Sequence, residues 1–228
     1  MSQQAAPLPT RKGNSLATWF HEIPEPEMES ILEAGMERAA QGLSEMLDSP
    51  VGIANFEVKT MPIAEVASYA GDPEMEMVGV YLLIKGGLEG QALLLLHPAS
   101  ARHLTRLLLA DEADPGSDNG NERLATGMSS LETSALAEVG NLMVSYFLNK
   151  VAAALGRPRL LYPSPPALMM DMLGAMLDVI ATPVAATSDD LLVIACGLTT
   201  GGGEKEARLI QVHFWILPEP ATRIIGIA

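Results

Sequence analysis

The chain is short of cysteine, of aromatic residues and of positive charge. Cys196 is its one cysteine, so no internal disulfide can form, which suits a reducing compartment. It lies in the apolar run Leu191 to Leu198, where a thiol reads as a small core residue rather than a nucleophile. Aromatics make up 4% of the 228 residues while 48% are hydrophobic, so the core is expected to be Leu, Ile, Val, Met and Ala. Fourteen Lys and Arg stand against 28 Asp and Glu, a net charge of −14, which argues against nucleic acid or an anionic membrane as a partner. The four histidines, His21, His97, His103 and His213, share no spacing suited to a metal, so no metal site is expected. Long uncharged apolar runs are also missing. Leu161 to Met170 comes nearest and is broken by Pro163, Pro165 and Pro166. Residues 1–14 lack the apolar stretch of a signal peptide or anchor, and a cytoplasmic protein is the expectation.

Taken in order, residues 1–26 read as a leader with one helical turn around Leu16 to Phe20. From Glu27 to Leu47 the apolar residues keep helical period, until Asp48-Ser49-Pro50 stops the helix. Val51 to Val58 reads as a strand, and Met75 to Lys85 with Leu88 to His97 as an antiparallel hairpin about Gly86-Gly87. Pro98 opens a helix through Leu109. Residues 111–122 are an acidic linker whose carboxylates do not follow the EF-hand spacing. A long helix covers Leu131 to Leu155, followed by a proline-rich turn and a short helical piece near Ala167 to Leu177. Three strands are expected after that, Asp178 to Ala186, Leu191 to Leu198 and Glu206 to Leu217, and residues 218–228 form a tail or short helix. The loop Thr199 to Lys205 holds three glycines but not the full phosphate-loop pattern.

The two halves, 27–110 and 123–217, repeat the order long helix, strands, proline. A shift of 105 lays Ile31 on Leu136, Glu33 on Glu138 and Gly35 on Gly140, and Leu96-His97-Pro98 matches Ile216-Leu217-Pro218. Such a duplication predicts one α+β domain with a pseudo-twofold axis, an antiparallel sheet of about six strands, and two long helices on one face.

Within the second long helix, Ser134, Glu138, Asn141 and Ser145 are spaced by four, three and four residues and share a polar stripe. Spacing alone describes a solvated face. The run Glu-Thr-Ser-Ala-Leu-Ala-Glu-Val-Gly-Asn-Leu, however, resembles the active-site helix of the CheC family of chemotaxis phosphatases, which includes CheX and the phosphatase portion of FliY. The likeness continues through Ser145 to Asn149, Pro163 to Pro166 and Asp171-Met172-Leu173.

The resemblance implies hydrolysis of the aspartyl phosphate on a CheY-type response regulator. No cofactor of its own is implied, because the partner receiver domain would bring Mg²⁺ and a lysine. Phosphoryl transfer needs positioning and charge neutralisation more than covalent help. Asn141 would orient the attacking water, since a carboxamide offers a donor and an acceptor without changing charge. Glu138 would take the partner's lysine, Ser134 would support, and Ser145 and Glu33 would contribute to partner binding. The family's proline falls here on Ser164, between Pro163 and Pro165. In the first half the 105 shift puts Met36 in the place of Asn141 and Glu29 in that of Ser134, so a single active site is expected. Two other readings are a non-catalytic adaptor that binds a receiver domain or the CheD deamidase, and a structural α+β protein whose polar helix face is merely wet.

Overall fold

The computed structural model describes residues 23–109, 128–156, 161–186, 188–200 and 212–218. The expected leader turn at Leu16 to Phe20, the acidic linker 111–122, most of the glycine loop and the tail beyond 218 lie outside the described residues.

Helix α1 (Glu25–Leu47) starts at Pro24, with Pro26 in its first turn where a missing N–H costs nothing, and ends where Asp48 turns left-handed at φ 46°. Strand β1 (Val51–Pro62) follows, then a single 3₁₀ turn and the short helix α2 (Val66–Ala70). Strands β2 (Glu76–Gly86) and β3 (Gly90–Leu96) form the expected hairpin, and Pro98 opens α3 (Pro98–Leu108). The long second helix is α4 (Ser130–Ala154). Its start is pinned by a capping box in which Ser129 Oγ accepts from Glu132 N at 3.2 Å and Glu132 Oε2 accepts from Ser129 N at 2.8 Å. Then come β4 (Leu161–Pro163), β5 (Ala167–Met172), α5 (Leu173–Ala185), β6 (Asp190–Thr200) and β7 (Val212–Pro218).

Two expectations are corrected in this region. The strand expected over Asp178 to Ala186 is the body of α5, and the helical piece expected near Ala167 to Leu177 is β5 followed by the first turn of α5. Val179, Ile180, Thr182 and Val184 favour strands locally, and Pro183 disfavours a helix. Packing overrides both. Leu173, Met176, Leu177, Ile180 and Val184 fall at helical steps and are all buried against the sheet, while Pro183 sits on the exposed side.

The seven strands form one antiparallel sheet in the order β1-β6-β7-β3-β2-β4, with β5 also on β2. Each half therefore gives its first strand to the other half's edge. At the centre β3 pairs with β7, and Leu94 lies opposite Phe214. The match of Leu96 to Ile216 equates those same two residues, so the pseudo-twofold axis passes through this pair. The edges correspond too. β1 carries a bulge between Ile53 and Asn55, where its counterpart is split into β4 and β5 by Ser164-Pro165-Pro166. Pro165 and Pro166 have no N–H for a ladder, and Ser164 holds the break with its N–H to Leu83 O (2.8 Å) and its Oγ accepting from Leu83 N (2.9 Å).

Apolar residues are buried on both faces of the sheet. One cluster lies under α1, α4 and α3, with Phe147 set edge-on to Phe214 (centroids 6.0 Å apart, 80°), and the other under α2 and α5. The sequence-based expectation of two long helices on one face is met; the second face is covered as well. Cys196 is buried in the first cluster, and burial pushes its thiol up to about 12.

Candidate functional site

Helix α4 runs over β2, β4 and β5, whereas α1 lies over β1 and β6. The two helices meet through glycines. A methyl group at Gly35 would come within 2.8 Å of Phe147, and Gly42 is pressed against Tyr146, whose ring Arg38 covers at 3.9 Å. Tyr146 and Leu142 thus mark the side of α4 that faces α1. Asn141 falls on the opposite flank, over the outer edge of the sheet where β5 lies. Leu168 and Met170 of β5 pack against the core beneath that flank, opposite Val80 and Val78 of β2.

The expected stripe is present. Ser134 and Glu138 are exposed, and Asn141 and Ser145 are partly buried. Among the described residues neither Glu138 nor Asn141 has a hydrogen-bond or ion-pair partner, so both remain open to a partner molecule. The arrangement offers one carboxylate and one carboxamide a single turn apart, the carboxamide set lower and nearer the sheet edge. Such a pair can hold a cation from outside and orient a small polar molecule beside it. The Pro163 to Pro166 segment belongs to the resemblance, whereas Leu168 and Met170 were not among the expected contacts of this flank. The signal available for these two is their alternation on one face of β5.

The two helices can also be aligned on their buried residues and their ends. A shift of 105 would place Met36 at the position of Asn141, yet Met36 is 0% exposed and points into the core. A shift of 108, which carries Asp48 to Gly156, matches the two left-handed helix ends. It also carries Met28, Leu32, Met36, Ala40 and Leu43 onto Leu136, Gly140, Val144, Leu148 and Val151, all of them buried. On this alignment the counterparts of Glu138 and Asn141 are Ser30 and Glu33, both exposed. The first helix has a hydroxyl where the second has a carboxylate, and a carboxylate where the second has a carboxamide. Glu33, expected to bind a partner, faces solvent and stands in the place of Asn141 rather than that of Glu138.

No helix of the described residues is long and apolar enough to cross a membrane. No family model matches the chain. It is 21% identical over 203 residues to the CheY-P phosphatase CheC of Bacillus subtilis, covering 88% of this chain and 91% of that one. Its fold is similar to that of Thermotoga maritima FliY (TM-score 0.60, 20% identity, 85% of this chain and 89% of that chain). A chemotaxis protein CheX from Desulfovibrio desulfuricans shares it at a TM-score of 0.52, with 14% identity over 83% of this chain and 99% of that one. The FliM middle domain of H. pylori has the same TM-score, 0.52, with 13% identity over 86% of this chain and 90% of that one. The chain is thus similar in sequence to CheC along most of both chains, and it has the fold that FliY and CheX share.

Proposed function

We propose that the protein is a phosphatase of a phosphorylated CheY-type receiver domain, with one active site on α4. Glu138 takes the receiver's lysine and fixes the docking register. Asn141 holds a water in line with the phosphoryl group. The water oxygen forms the new P–O bond, the bond to the aspartyl oxygen breaks, and the carboxylate leaves as inorganic phosphate is released. The receiver supplies Mg²⁺, which neutralises the charge on the phosphoryl oxygens. Ser134 and Ser145 line the contact. The observation that supports this reading most is the pair Glu138, exposed, and Asn141, partly buried, one turn apart on α4 and without hydrogen-bond or ion-pair partners among the described residues. That the relative CheC is a CheY-P phosphatase supports it from the side of sequence.

A second reading follows from the fold shared with a FliM middle domain, because a fold does not by itself carry an activity. In it the protein is a non-catalytic adaptor that binds a receiver domain or CheD. Mixing the purified protein with a phosphorylated CheY-type receiver and timing phosphate release separates the two. Accelerated release supports the phosphatase, and binding without acceleration supports the adaptor.

A further inference from the structure

We propose that Gly140 and Val80 are positioning residues that set the height of Asn141 above the sheet edge; this rests on the phosphatase reading of the same site. Gly140 immediately precedes Asn141 and faces the middle of β2. A methyl group there would lie 2.6 Å from Val80 Cγ1 and 3.2 Å from its Cβ, closer than non-bonded carbons approach. Helix and sheet therefore touch through a bare Cα. Glycine is a poor residue inside a helix, and Gly140 is the only one in α4. The close approach to β2 is what accounts for it.

One residue further, a helical step of about 100° swings Asn141 away from α1 and over β5. There Leu168 is the direct partner of Val80. The depth of the Asn141 carboxamide relative to β5 and the Ser164 to Pro166 break is thus set by how closely the backbone at Gly140 lies on Val80. Glu138 is less dependent on this. It is exposed and has a longer arm, so it can reach a cation on a docked partner from a range of helix heights, whereas a short carboxamide holding an in-line water cannot. Lifting α4 from the sheet should damage turnover more than docking.

The test is Gly140→Ala and, from the other side of the same contact, Val80→Ile. Each is read by the kcat for dephosphorylation of a phosphorylated CheY-type receiver, by the Kd for that receiver carrying beryllofluoride, and by Tm. The expected result is a fall in kcat of about 10- to 100-fold, as for a reacting group displaced by roughly an ångström, with Kd changed less than about twofold. Val80→Ala added to Gly140→Ala makes room for the new methyl group and should return kcat towards the original. Val80→Ile keeps the test alive should Gly140→Ala not fold. An unchanged kcat in a folded Gly140→Ala or Val80→Ile protein overturns the inference. So does a double variant whose Tm recovers while its kcat does not. If the unaltered protein does not accelerate phosphate loss, or if Asn141→Ala is as active as the original, it is the phosphatase reading that fails.

Discussion

Gln91, buried in β3, donates its side-chain amide to the carbonyl oxygen of Ile180 in α5 at 3.1 Å while its own carbonyl accepts from the hydroxyl of Tyr81 at 2.7 Å. This relay ties the sheet to the helix that lies under its second face, at a point where Pro183 weakens that helix. Replacing Gln91 by Leu removes both hydrogen bonds, of which the one to Ile180 is buried. Equilibrium denaturation should show a loss of about 1–3 kcal/mol, and Tyr81→Phe a loss of about 1 kcal/mol. Equal stabilities would mean that water replaces the relay.

Asn141→Ala is expected to slow receiver dephosphorylation by about 10²-fold or more, since it removes the group that positions water. The residue is only partly buried and has no partner among the described residues, so the midpoint of urea unfolding should stay near the original. Phosphate release timed at saturating receiver gives the rate, and a rate equal to the original would remove Asn141 from the site.

Glu138→Gln keeps shape and removes charge. Binding of a beryllofluoride-bound receiver, measured by titration at several salt concentrations, should be weaker and less salt-dependent than for the unaltered protein. Indifference of both binding and turnover would assign Glu138 to the solvated face.

The first helix should be silent in turnover. Glu33→Ala is expected to leave kcat near the original, because Glu33 stands where the second helix has its carboxamide. Met36→Asn, which a 105-residue alignment would favour as a way to build a second site, should instead destabilise the fold by about 2–5 kcal/mol, since the position is 0% exposed. The double change Ser30→Glu with Glu33→Asn puts the pair on the solvent face of α1. It should raise turnover by no more than about twofold. A large loss of kcat in folded Glu33→Ala would show the first half to be catalytic.

Burial holds the Cys196 thiol up to about 12, so the folded protein keeps its proton at pH values where the unfolded chain loses it. The folded state then binds more protons than the unfolded state between roughly pH 9 and 12. Stability supported by this group is full below that window and is lost as pH rises through it. Cys196→Ala should show a shallower alkaline fall in stability than the unaltered protein. A thiol reagent at pH 8 should react with the unaltered protein only at the rate of its unfolding.

Much of the site and part of the fold are determined locally. The 3.6-residue period of α4 and the 4-3-4 spacing of Ser134, Glu138, Asn141 and Ser145 are properties of one continuous segment, and the Ser129 and Glu132 box that starts it is local as well. For the same reason the β2–β3 hairpin and the start of α3 at Pro98 are legible. Elsewhere local preference points the wrong way. The β-branched residues and Pro183 of α5 predict a strand, and only burial of one side against the sheet makes them a helix. The alignment of the two halves shows the same limit. A shift of 105 finds more identical residues, but it differs by three from 108, most of a helical turn, and nothing within one helix says which of those faces meets the core. Met36 at 0% exposure answers that, because an apolar side chain gains most by leaving water and only the sheet beneath α1 gives it somewhere to go. Strand order is likewise a tertiary outcome. β1 and β5 each complete the other half's sheet, which brings the Ser164 to Pro166 break beneath the flank of α4 that carries Asn141. Pairing between residues so far apart is chosen by which faces can be buried together, a condition that no short stretch of the chain contains.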